Sequence, residues 1–130
     1  MLKEEIRTSK APRPSGAYAQ GIRMGNWLFV SGQGPVDPDA GTVTASTIEE
    51  QTTQTIQNIR AILEDGGATL ADVVRCTVHL SDLALFERFN AVYASFFPDP
   101  KPARTTVGSQ LAGILVEIDA IACVGSWKSA

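Results

Sequence analysis

Apolar and polar residues change their spacing several times along the chain, and each change marks an element. "AQGIRM" (19–24) and "WLFVSG" (27–32) flank Gly25-Asn26. That pair tolerates the positive φ angles of a two-residue turn, which predicts a β-hairpin. Residues 32–46, "GQGPVDPDAGTVTAS", are rich in glycine, proline and aspartate and read as a long surface loop. The spacing then changes to three and four. Thr52, Ile56, Ile59, Ile62 and Leu63 form one face of a helix. Ser46 with Glu49, and Thr47 with Glu50, each fit a capping box for its start, and Gly66-Gly67 ends it. "DVVRCTVHL" (72–80) returns to alternation and predicts a strand with Val74, Cys76, Val78 and Leu80 on one side. Ser81-Asp82 caps a second helix, whose stripe is Leu85, Phe86, Phe89, Tyr93 and Phe96 and which Pro98 stops. Two strands close the chain, a short one from Arg104 and a long one through "ILVEIDAIACV" (114–124). A further short strand falls in residues 2–7.

This order predicts a single α+β domain over residues 1–130, a mixed sheet with two helices packed on one face. The last strand carries the strongest pattern. Ile114, Val116, Ile118, Ala120, Ala122 and Val124 alternate onto one apolar face, which belongs under the helices. The opposite face holds Leu115, Glu117, Asp119, Ile121 and Cys123. Two helices cover only one side of a sheet, so the second face calls for other copies of the chain, with any site near a subunit boundary.

Charge and composition narrow the function. The net charge of −3 leaves no electrostatic footprint for nucleic acid or an anionic membrane. The opening "MLKEEIRTSK" has acids where a signal peptide needs an apolar core, and no apolar run reaches membrane-span length, so a cytoplasmic protein is expected. Cys76 and Cys123 lie in strand-like runs and read as reduced core residues. One histidine argues against a structural metal, and no phosphate-binding or dinucleotide motif is present.

Candidate chemistry centres on "KPARTTV" (101–107), where prolines at 98, 100 and 102 deliver Arg104 to the mouth of a strand. Arg104 reads either as a surface arginine paired with a carboxylate or as an anchor, because its planar, permanently charged fork suits a small acid. Glu117 reads either as a solvent-facing or interface residue or as a carboxylate that orients and deprotonates a water. Asp119 shares its face and is taken as a structural neighbour. Ser31, at the end of a strand, has the ordinary role of bonding to backbone and lacks a nucleophile elbow. Tyr18 reads as a packing aromatic whose hydroxyl is free to donate to a ligand, and Asn90 as an exposed or capping amide. His79 falls opposite Cys76, and no pattern ties an acid or serine to it, so it reads as structural.

Taken together, "SGAYAQG", "LFVSGQGPVDP", "TVHLSD", "FNAVYASFF", "PARTTV" and "VEIDAIA" resemble the RidA family, also called YjgF/YER057c/UK114, in order from about Gly16 to Val124. The resemblance implies a chorismate-mutase-like fold and a homotrimer with three clefts between subunits. It further implies a cofactor-free deaminase that hydrolyses reactive 2-imino and enamino acids, such as 2-iminopropanoate or 2-iminobutanoate, to 2-keto acids and ammonia. By the same resemblance, Arg104 binds the substrate carboxylate and Glu117 positions the attacking water. Tyr18, Ser31, Asn90 and Thr106 line the cleft. Ala17, Gly34 and Thr106 depart from the frequent proline, bulky aliphatic and cysteine, and "GSQLAGIL" is short and glycine-rich. These departures fall on the pocket that selects the side chain. The alternatives are a non-catalytic trimeric small-molecule binder and a single-stranded RNA endoribonuclease or translation inhibitor. Against the latter stand the negative charge and the absence of a histidine–acid pair in the pattern.

Overall fold

The structure, a computed structural model, describes residues 2–125. Strands β1 (Lys3–Ile6), β2 (Gly21–Met24) and β3 (Trp27–Gln33) lead through a small ribbon, β4 (Val36–Asp37) and β5 (Thr42–Val43), into α1 (Ile48–Asp65). Strand β6 (Val73–Leu80), α2 (Phe86–Phe96), β7 (Ala103–Gly108) and β8 (Val116–Cys123) follow. Six strands make one sheet in the order β1-β2-β3-β8-β6-β7, in which β6 and β7 alone run parallel. The predicted α+β sheet with two helices on one face is the fold observed.

The hairpin closes at Met24 and Trp27 around Gly25, whose φ is 60°. The stretch expected to be a plain loop contains the β4–β5 ribbon, in which Val36 pairs Val43 and Asp37 pairs Thr42. The Asp37 carboxylate takes the Asp39 N–H at 2.8 Å, and this local turn gives the polar stretch a backbone ladder.

Of the two capping boxes, Thr47 and Glu50 form the one that starts α1: the Thr47 hydroxyl accepts the Glu50 N–H at 3.1 Å, and Glu50 accepts the Thr47 N–H. Glu49 instead bonds through both carboxylate oxygens to Arg88 of α2, at 2.7 and 2.8 Å. Helix α1 buries Thr52, Ile56, Ile59, Ile62 and Leu63 as its spacing requires. It ends at Gly66, where a side chain would meet Ile6 and Leu28 within 2.7 Å. The helix end therefore presses directly on the sheet.

In β8, Val116, Ile118, Ala120 and Ala122 are all buried, together with Leu28 and Val30 of β3 and Cys76, Val78 and Leu80 of β6. Each large aliphatic side chain removed from water here contributes about 1.5–3 kcal/mol. Val74 does not join them. A bulge between Val73 and Arg75 turns Val73 inward and leaves Val74 42% exposed, so the alternation holds only from Cys76 onward. Asp82 caps a single 3-10 turn, Leu83–Leu85, and α2 proper starts at Phe86. Its buried residues are Phe89 and Tyr93, joined by Phe97 just past its end. On the sheet's other face Trp27 and Phe29 stand 46% and 44% exposed, with Ile121 opposite Phe29. Among the described residues, nothing covers this apolar part of the face.

Candidate functional site

Register decides which way each candidate points. On β7, Arg104 pairs with Cys76 and Thr106 with Val78, so both lie on the helix-covered face. Helix α2 meets Arg104 with Phe86, Phe89, Asn90 and Tyr93, spaced to share one helical face. The guanidinium carbon lies 5.4, 5.8 and 4.7 Å from the Phe86, Phe89 and Tyr93 ring centroids. Its Nη1 donates to Asn90 Oδ1 at 2.7 Å. The rings attract the cation electrostatically and fix its plane, while Asn90 uses one of its five N–H donors. Among the described residues no carboxylate pairs with it. The surface ion pair offered as one reading of this arginine does not form among those residues.

The groups beneath the arginine are neutral. Burial pushes the Cys76 thiol up to about 11, with the Tyr93 hydroxyl lying against it. Burial likewise drives the Tyr93 hydroxyl far above its ordinary range. Neither supplies an anion beneath Arg104 at neutral pH. The Thr106 hydroxyl is buried and makes no hydrogen bond among the described residues. Arg104, Asn90 and Thr106 thus come together at the β7 edge of the sheet, under α2.

Glu117 lies on the other side. It is the Cα partner of His79, which also pairs with Val107, and that register puts all three on the face away from the helices. Ser31 and Gly32 are the bulged residues where β3 slips against β8, between the Val30–Ala120 and Gln33–Ile118 pairs. A side chain at Gly32 would come within 2.9 Å of Glu117 Oε2, so the carboxylate rests directly against bulge backbone. The Ser31 hydroxyl donates to the Ala19 carbonyl at 2.6 Å and its N–H to the Gln20 carbonyl at 3.0 Å, the backbone-tying role of a strand-end serine. Tyr18 is 46% exposed, its hydroxyl accepting from the Ser15 N–H at 3.1 Å. It lines a cleft of about 620 Å³ with Arg7, Arg13 and Gln20, from which Arg104 and Glu117 are absent.

The candidate residues of one chain therefore fall into two groups. Arg104, Asn90 and Thr106 gather on the covered face, and Glu117 with the Ser31–Gly32 bulge lies on the open face. Sequence reading missed three features around these residues. The stripe Phe86, Phe89, Tyr93 was legible as core, but not as the wall around a guanidinium. Gly32 gave no signal beyond its place in a glycine-rich segment. His79 is not isolated, because its Nδ1 lies 2.7 Å from Ser109 Oγ, a partner thirty residues away that only the β6–β7 pairing brings near.

The sequence model of the family described as Endoribonuclease L-PSP matches residues 8–124. The chain belongs to this family. It is the same YjgF/Rid group that the motifs resemble. A RutC family protein of Pyrococcus abyssi is 50% identical over 124 residues, spanning 94% of this chain and 98% of that one. The chloroplastic Reactive Intermediate Deaminase A of Arabidopsis thaliana is 39% identical over 122 residues, 92% of this chain and 65% of that one. Among solved structures, E. coli TdcF with bound serine superposes with a TM-score of 0.90 at 34% identity, covering 95% of this chain and all of the other. Among the described residues no helix is long and apolar enough to cross a membrane. Nor, among those residues, do three His, Cys, Asp or Glu side chains gather as metal ligands would.

Proposed function

We propose that this chain is a deaminase that hydrolyses 2-imino and enamino acids to 2-keto acids and ammonia, in clefts that form between copies of the chain in a homotrimer. The observation that carries the reading is the Arg104 guanidinium, held by three rings and Asn90 with no acid upon it among the described residues. A planar imino acid supplies the missing anion. Its carboxylate accepts from the free edge of the fork, each charge-assisted bond contributing about 1.5–3 kcal/mol. Glu117 faces away from Arg104 in its own chain, so a second copy brings its Glu117 to the first copy's arginine. The uncovered Trp27, Phe29 and Ile121 surface is the apolar area such a contact would bury. TdcF binds serine, a small amino acid with the same carboxylate, and the Arabidopsis relative is a reactive intermediate deaminase.

With the substrate so placed, Glu117 takes a proton as water adds to C2 and the C=N electron pair moves to nitrogen. It returns that proton to nitrogen to give the carbinolamine, then carries the hydroxyl proton to the same nitrogen, so that the C–N bond breaks, ammonia leaves and the C=O bond forms. Orientation and one proton shuttle suffice for an already electrophilic carbon. Thr106 and Tyr18 border the substrate, and Ser31 holds the strand end that carries Gly32. The test is to generate 2-iminopropanoate and 2-iminobutanoate with an amino-acid oxidase and follow their loss with and without the protein. Decay no faster than the spontaneous rate refutes the reading. Glu117→Gln should retain keto-acid binding and lose about 100-fold in kcat. The family's description as an endoribonuclease favours a second reading, cleavage of single-stranded RNA, so RNA incubated in parallel decides between the two.

A further inference from the structure

Arg104 has donors and no acceptor, so whatever meets it must offer an oxygen or a ring face. Helix α2 offers both. Phe86, Phe89 and Tyr93 wall the guanidinium, their centroids 5.4, 5.8 and 4.7 Å from its central carbon. Asn90 accepts from Nη1 at 2.7 Å. Only the amide oxygen can face a guanidinium, so this contact also fixes the amide, with Nδ2 turned the other way. Among the described residues neither side chain makes another side-chain hydrogen bond. By covalent geometry Nη1 lies on the Cδ side of the group, whereas Nε–H and Nη2–H point in one direction. The bond to Asn90 therefore leaves that two-donor edge whole. Of the two charged residues of α2, Arg88 binds Glu49 of α1 at 2.7 and 2.8 Å, and Glu87 is exposed. What α2 presents to the Arg104 N–H groups is thus an amide, the size of an aspartate but uncharged.

We propose that Asn90 is a positioning residue: it holds the Nη1 corner of Arg104 with a neutral oxygen, so that the Nε–Nη2 edge is offered, still charged, to the carboxylate of the substrate. This rests on the anchor role given to Arg104 in the deaminase reading above. An aspartate of the same size would grip the corner more strongly, but it would bring a full negative charge to hydrogen-bond distance. The arginine would then answer an acid of its own chain in place of the guest's. An alanine would leave the guanidinium to the rings alone. Their attraction is electrostatic and holds the cation close without selecting which N–H groups point outward. The rings also bar one approach, because their electron-rich faces repel an anion, and an acid must come to the edge instead. Rings and amide aim the fork, and Asn90 itself makes and breaks no covalent bond.

The test compares Asn90→Asp with Asn90→Ala in the full-length protein, with 2-oxobutanoate as a non-reacting acid whose Kd is read by calorimetry. If Asn90 only fills space or supports α2, the isosteric aspartate should be the milder change. The positioning role predicts the reverse order. Kd for 2-oxobutanoate should rise about tenfold in Asn90→Ala, for the lost orienting bond, and about 100-fold in Asn90→Asp, for the charge set against the guest. Thermal unfolding should show Asn90→Asp at least as stable as Asn90→Ala, so that the weaker binder is not the less folded protein. With 2-iminobutanoate the same order should appear chiefly in KM, because Glu117 is untouched. An Asn90→Asp protein that binds 2-oxobutanoate as tightly as Asn90→Ala, or more tightly, overturns the inference, and so does a wild type that binds none. Binding lost in the predicted order, with imine decay no faster than the spontaneous rate, upholds the positioning role and refutes the deaminase reading instead.

Discussion

Arg104→Ala removes the guanidinium while leaving its surroundings in place, and its consequences can be worked out from the contacts around it. The side chain is half-buried, bonded to Asn90 Oδ1 at 2.7 Å and flanked by three rings at 4.7–5.8 Å. A substrate carboxylate taking two N–H bonds from the open edge gains about 3–6 kcal/mol from charge-assisted hydrogen bonding. Its loss should lower kcat/KM by about 10²–10⁴-fold. Arg104→Lys separates charge from geometry. The ammonium has no planar fork and cannot hold both Asn90 and a bidentate acid, so it should recover only about a tenth of the lost activity or less. The fold should survive both changes. The rings keep their mutual contacts, with centroids 4.5 Å apart for Tyr93–Phe97 and 5.5 Å for Phe89–Tyr93. Thermal unfolding and sedimentation run beside the imine assay separate loss of anchor from loss of structure. An Arg104→Ala protein with kcat/KM within about threefold of wild type refutes the anchor. A fully active Arg104→Lys protein refutes the bidentate geometry.

Gly32→Ala places a methyl within 2.9 Å of Glu117 Oε2, the movable end of a side chain, so stability should change little while kcat drops as the carboxylate is displaced. Wild-type kcat in Gly32→Ala would show that the carboxylate's resting place is irrelevant to turnover. The Glu49–Arg88 pair joining α1 to α2 holds Glu49 at about 2, below its ordinary 4.5, chiefly through the Arg88 hydrogen bonds. A depressed carboxylate contributes stability above its unfolded value and loses it as pH falls, here from about 4.5 through about 2. Urea unfolding across that window should show a stability decrement in wild type that Arg88→Met lacks, small and suppressed by salt because both groups face solvent. Cys76, raised to about 11 by burial, should resist thiol-specific reagents at pH 8 in the native protein and react once unfolded. Rapid native labelling at Cys76 would contradict the closed packing beneath Tyr93.

Much of the fold was legible because its signals are local. A run of alternating apolar residues at 116–122, a threonine–glutamate box at 47–50 and a glycine pair at 66–67 act through neighbouring backbone, so the element type follows from the order of residues. Where local spacing misled, a longer-range fit overruled it. Val74 continues the alternation of its strand, yet the β6–β8 bulge turns Val73 inward instead. The helix after Asp82 gives up its first turn to a 3-10 segment. The residues proposed for the site were singled out by sequence as well, Arg104 from its proline-rich approach and Glu117 as an acid in an apolar strand.

What the sequence determined by itself is the inventory: an α+β domain, an arginine without a local acid, a carboxylate on the sheet face that the helices leave open. Only the tertiary structure decided how these parts face one another. Side-chain direction in a sheet depends on pairing between distant strands, so Arg104 turned toward α2 and its rings while Glu117 turned away, beside His79 and the Gly32 bulge. The same pairing brought Ser109 to His79 across thirty residues. No pattern along the chain encodes these meetings, because each is set by register between strands whose separation in sequence is bridged by a helix.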